Sequence, residues 1–91
     1  MKKKGFIYTT VLTKIDQTGL MLPKEVLWPD GRCFPVERVI CWRHAPQYDL
    51  DTTCYDVIIR GQKKQLYFRK SHPNIISPMN IGNWFVEMDT D

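Results

Sequence analysis

Apolar and polar residues alternate along two runs between Cys54 and Lys70 that fold back around Gly61-Gln62. A period of two places successive side chains on opposite faces of a strand, so the pattern predicts a hairpin. With Gly61 taking the positive φ that L-residues resist, a type II′ turn pairs Arg60 with Lys63. Tyr55, Val57, Ile59, Leu66 and Phe68 then share a core face. Cys54, Asp56, Arg60, Lys63, Gln65, Tyr67 and Arg69 take the face toward water.

A second hairpin is predicted around Trp28-Pro29-Asp30-Gly31-Arg32, where Pro29 presets φ, Asp30 reaches nearby N–H groups and Gly31 accepts the left-handed conformation. That turn sets Trp28 against Arg32 and Val26 against Phe34. Val26, Trp28, Phe34, Val36, Ile40 and Trp42 fall on one face, with Arg38 intruding and Val39 off it, which predicts a bulge near Glu37-Arg38. Upstream, Gly5 to Ile15 reads as a first strand closed by turn chemistry at Asp16-Gln17-Thr18-Gly19. Pro23 interrupts the next run and suits a strand entrance or an unpaired edge. Arg43 to Thr53 reads as a loop, Ser71 to Asn83 as a long irregular connection, and Trp84 to Met88 as the last strand.

No segment carries a sustained 3.6-residue period, and no repeat or low-complexity tract is present. The predicted fold is all-β: a five- to six-stranded antiparallel barrel or strongly bent sheet, SH3-like, because closure removes the edges a flat sheet would expose. One domain over residues 6–88 is expected, with a basic tail at 1–5, an irregular loop at 71–83 and a frayed acidic end at 89–91.

The chain has 91 residues, 43% hydrophobic and 25% charged, the composition of one globular unit rather than a disordered chain. Three cysteines with no paired spacing fit free thiols in a reducing cytoplasm better than a disulfide framework. Lys2-Lys3-Lys4 before Phe6-Ile7-Tyr8 imitates a secretion signal, but Thr13-Lys14 cuts the apolar run short, so a strand behind a basic tail is expected. No apolar run has the length of a membrane span, and membrane partnership is not expected. A net charge of +3 does not single out nucleic acid.

Val26-Leu27-Trp28-x-Asp30-Gly31-Arg32-x-Phe34, then Tyr55-x-Val57-x-Ile59-x-Gly61, and finally Trp84-Phe85-Val86-Glu87 resemble a group of short uncharacterised proteins of Firmicutes-type bacteria. The resemblance spans most of residues 7–88. It implies a small cytoplasmic β-barrel-like protein and carries no activity or ligand. Members of that group pass from the second hairpin to Trp-Phe-Val-Glu through a short turn, whereas this chain inserts much of Ser71 to Gly82.

Candidate chemistry is sparse. Cys33, Cys41, Cys54, His44 and His72 include one Cys-x-x-His spacing, but structural zinc takes two close ligand pairs, so no metal or other cofactor is expected. Cys54, Asp56 and His72 offer a nucleophile, an acid and a base with no nucleophile elbow or phosphate-binding glycine loop, and no catalytic residue is assigned. Asp56 is expected opposite Tyr67 and diagonal to Arg69. Trp28, Trp42 and Trp84 are expected to supply core bulk, with Trp28 under Arg32. The favoured function is a non-enzymatic module binding another protein, or a second copy of itself. Its contact surface would be the apolar residues of the insertion, Ile75, Ile76, Met79 and Ile81. The alternative is single-stranded RNA held by Arg60, Lys63, Lys64, Arg69 and Lys70 and stacked on an exposed Tyr67.

Overall fold

The computed structural model describes residues 3–71 and 81–90. It contains seven strands: β1 (Lys3–Ile15), β2 (Met21–Leu27), β3 (Cys33–Pro35), β4 (Arg38–His44), β5 (Thr52–Ile59), β6 (Gln62–Lys70) and β7 (Gly82–Thr90). They form one antiparallel sheet in the order β3-β2-β1-β7-β6-β5-β4, curled into a half-barrel. The all-β expectation is correct, and the strand count is seven rather than five or six. None of the described residues forms a helix long and apolar enough to cross a membrane.

The extra strand has a topological cause. The run expected to continue past a bulge at Glu37-Arg38 breaks there into β3 and β4, which lie on opposite edges of the sheet. Only Val36 and Glu37 join them. The Val36 N–H donates to the Lys24 carbonyl at 2.9 Å and the Glu37 N–H to the Ile58 carbonyl at 2.8 Å, so adjacent residues bond to β2 and to β5. Edges tethered this closely require the sheet to roll. A register shift lies farther on, between Val39 and Cys41. It turns Val39 into the core and leaves Ile40 and Trp42 on an edge strand, with Trp42 48% exposed.

Turn chemistry sets the hairpins. Asp16 Oδ1 accepts from the N–H groups of Thr18 at 2.8 Å and Leu20 at 3.1 Å, closing β1 onto β2. Gly31, at φ 95°, donates its N–H to the Trp28 carbonyl, and Val26 lies opposite Phe34 as expected. Pro23 is a buried residue inside β2, at the irregularity where Thr13 pairs with Pro23 and Leu12 with Glu25. A proline fits that site because the ladder is already broken there.

The β5–β6 turn differs from the expected type II′. Arg60 (φ 53°) and Gly61 (φ 74°) are its central residues and Ile59 pairs with Gln62, the geometry of a type I′ turn. Left-handed backbone costs an ordinary residue about 1–2 kcal/mol. Two contacts offset it: the Arg60 guanidinium lies 5.2 Å from the centre of the Phe34 ring, and the Gly61 N–H donates to Glu37 Oε1 at 3.2 Å. The register therefore slips by two residues, which keeps the paired strand residues on their expected faces, while Arg60, now in the turn, reaches Phe34 on the core side.

One core fills the concave side: Val26, Tyr55, Val57, Leu66 and Trp84, with Phe34, Val36, Val39, Phe68 and Val86 packed against them. The convex side, expected to be wet, holds a second core of Ala45, Cys54, Tyr67 and Phe85. Its cover is the β4–β5 turn, held by the Ala45 N–H to the Thr52 carbonyl and by Asp49 Oδ1, which accepts from the Asp51 N–H and the Thr52 hydroxyl. Tyr48 on that turn sets its ring edge-on to Phe6, Tyr67 and Phe85. Of the three tryptophans, Trp84 is buried, Trp28 half-buried and Trp42 exposed. Arg32 lies over Phe34 and not over Trp28.

Lys3 and Lys4 pair in register with Thr90 and Asp89. Gly82, at the start of β7, has no space for a side chain: a Cβ there would meet the Arg69 carbonyl oxygen and the Phe68 ring. Gly82→Ala should lower stability by about 1–3 kcal/mol through overpacking, read as a lower urea midpoint at unchanged slope. A variant as stable as the parent would contradict this packing.

Candidate functional site: a split between β6 and β7

β7 pairs with β1 from Thr9↔Trp84 to Lys3↔Thr90, and β6 pairs with β5 from its first residue, Gln62. Between β6 and β7 the ladder covers only Tyr67↔Phe85 to Lys70↔Gly82. Beyond Tyr67 and Phe85 the strands follow different partners. β7 stays with β1, while the tip of the β5–β6 hairpin leans toward the β2–β3 turn through Arg60 and Phe34.

A groove of about 680 Å³ occupies the split. Its floor is apolar, formed by Val26, Trp28, Phe34, Leu66, Val86 and Met88, and its rim carries Arg32, Arg60, Lys63 and Lys64. Arg32 is held by Asp30 at 2.6 Å in an exposed pair, which contributes little to stability. Arg60, Lys63 and Lys64 are exposed. Glu87 borders the groove with its carboxylate beside Tyr48 and Tyr67, and the Tyr67 hydroxyl donates to Gln65 Oε1 at 3.2 Å. Burial first, and this carboxylate second, push Tyr48 up to about 12 and Tyr67 higher still. Both phenols are protonated at any physiological pH.

The residues of the RNA reading separate in space. Arg60, Lys63 and Lys64 stand on the groove rim, and Lys70 is exposed at the other end of β6. Tyr67 is 3% exposed and stacks on Phe85, with ring centres 5.2 Å apart and planes at 14°. Tyr67 lies on the face expected to meet water, but Tyr48 covers that side. Arg69 is held over the Phe85 ring and pairs with Asp49 at 2.9 Å. An exposed stacking ring at Tyr67 is therefore overturned. Of the insertion residues, Ile81 is 60% exposed, while Ile75, Ile76 and Met79 lie outside the described residues, as does His72.

Asp56 forms the other polar cluster. It is 5% exposed and sits opposite Gln65 rather than Tyr67, a consequence of the two-residue slip. The Arg43 guanidinium donates to its carboxylate at 2.6 Å, the Cys41 thiol at 3.2 Å and the Gln65 amide at 3.3 Å. Burial alone would raise this carboxyl, but the bonds from Cys41, Arg43 and Gln65 outweigh it and hold the group below the usual carboxylate range. The same bond raises the Cys41 thiol, and burial raises Cys54. Both remain thiols near neutral pH, the wrong state for a nucleophile. Among the described residues no three His, Cys, Asp or Glu side chains gather as metal ligands.

None of the groove floor was named as a site from sequence. Val86 and Met88 share a face of the last strand with Trp84, and that alternation was readable, but the end of a ladder leaves no mark in composition.

Two outcomes follow. Tyr67→Ala should cost about 3–5 kcal/mol, the loss expected of a buried ring, in denaturant unfolding; a loss below 1 kcal/mol would mean the ring is not packed. For Asp56, the folded-state pKa lies below the unfolded value of about 3.9, so its ionised form stabilises the fold above that pH and the contribution fades as pH falls through the folded value. Asp56→Asn should be less stable than the parent by about 1–3 kcal/mol at pH 7, with the gap closing as pH falls below the unfolded value and through the folded one. A gap that does not change with pH would contradict the assignment.

Comparison of the chain with protein-family models, with curated proteins and with solved structures returned no match.

Proposed function

We propose that this protein is a non-enzymatic interaction module of the bacterial cytoplasm that receives a segment of another protein in the groove between β6 and β7. The observation that carries this reading is the combination of an apolar floor with a cationic rim in a concave site of about 680 Å³. Such a floor removes apolar side chains from water, and the rim selects partners of negative charge. The protonated thiols beside Asp56 and the absence of a convergent base among the described residues favour binding over catalysis. Single-stranded RNA is the weaker reading, because the cations that remain on the rim have lost Tyr67 as their stacking partner.

Selection from a random peptide display library tests the proposal. The parent protein should enrich peptides that combine Asp or Glu with large apolar residues. Lys63→Glu combined with Lys64→Glu should weaken them about tenfold, the effect of reversing two exposed contacts worth about 0.2–1 kcal/mol each. Failure to enrich any peptide, or affinity unchanged by the double reversal, would overturn it. So would preferential binding of a single-stranded oligonucleotide with a steep salt dependence.

A further inference from the structure

The backbone beside the groove is as informative as its side chains. The two-residue turn at Arg60-Gly61 makes Ile59 and Gln62 a pair that exchanges both hydrogen bonds. Alternation then turns the N–H and C=O groups of Gln62, Lys64 and Leu66 toward β5, and those of Lys63 and Gln65 toward the groove. Tyr67, next in that series, is the residue at which pairing with β7 begins. The groove is thus the continuation of a hydrogen-bonding edge that β7 has left.

Resting on the protein-binding reading above, we propose that the segment enters as an extra β-strand paired with the β6 edge over Gln62–Leu66, and that it is an extended acidic peptide with apolar residues at alternate positions. The five residues of that edge span about 16 Å, which matches a short strand. A paired strand sends alternate side chains to the concave side, onto Val26, Trp28, Phe34 and Val86, which accounts for the apolar half of the pattern. Its intervening and flanking residues meet Lys63 on the convex side and Arg60 and Lys64 at the mouth, which accounts for the acidic half. Charge also argues against the basic stretch Lys2-Lys3-Lys4 of a second copy as the occupant.

The probes are the tightest peptide recovered in the selection and two versions of it N-methylated at alternate amides. Amide exchange is followed by NMR on the full chain. In the free protein the Lys63 and Gln65 amides should exchange at least tenfold faster than that of Lys64, and saturating peptide should slow both at least tenfold. One N-methylated version should bind at least tenfold more weakly, with the other nearly unchanged. If the peptide binds, and Lys63→Glu with Lys64→Glu weakens it, but Lys63 and Gln65 gain no protection or N-methylation has no effect, strand pairing is wrong while the groove remains a protein site. If no peptide is recovered, both fall. Protection of Lys63 and Gln65 that rises with protein concentration alone would replace the acidic partner with a second copy and overturn the inference.

Discussion

Val36 and Glu37 connect the two outermost strands of a seven-stranded sheet. A flat sheet of this order would hold β3 and β4 six strand spacings apart, about 28 Å, several times the reach of two residues. The backbone bonds of Val36 to β2 and Glu37 to β5 fix the joined position. Rolling follows, and with it the concave core, because Val26 and Phe34 are carried over Tyr55, Val57 and Leu66.

The roll has a consequence for the wall opposite the seam. β7 and β6 belong to different hairpin systems, and each keeps a longer ladder with its other neighbour. They stay together only from Tyr67–Phe85 to Lys70–Gly82, where Tyr67 stacks on Phe85 and the Arg69 guanidinium lies over the same ring. Past that point the concave core approaches the surface between two diverging strands. The groove is therefore a product of how the sheet closes.

Much of the fold was legible because its signals are local. Gly31 and the Asp16–Gly19 turn act through their own backbone, and alternation in β5 and β6 survived a wrong turn type since a slip of two keeps parity. The miss at Arg60 arose because the preference against left-handed backbone was overridden by contacts with Phe34 and Glu37, residues far away in sequence. Tyr67 was assigned to the correct face, but whether a face is wet depends on what folds over it. That cover comes from Tyr48, in a stretch whose weak periodicity reads as an ordinary loop. The split between β6 and β7 is a property of strand order, which no single segment encodes.

The most direct test of this account is the pattern of cross-strand Hα–Hα contacts between β6 and β7 in NMR spectra of the free protein. Phe68 and Trp84 form a pair of the closely spaced kind and should give a strong contact. The pairs that would continue the same ladder, Leu66 with Val86 and Lys64 with Met88, should give none. Strong contacts at those two positions would mean that the ladder runs on, that the wall is closed, and that the groove and the binding role built on it do not exist.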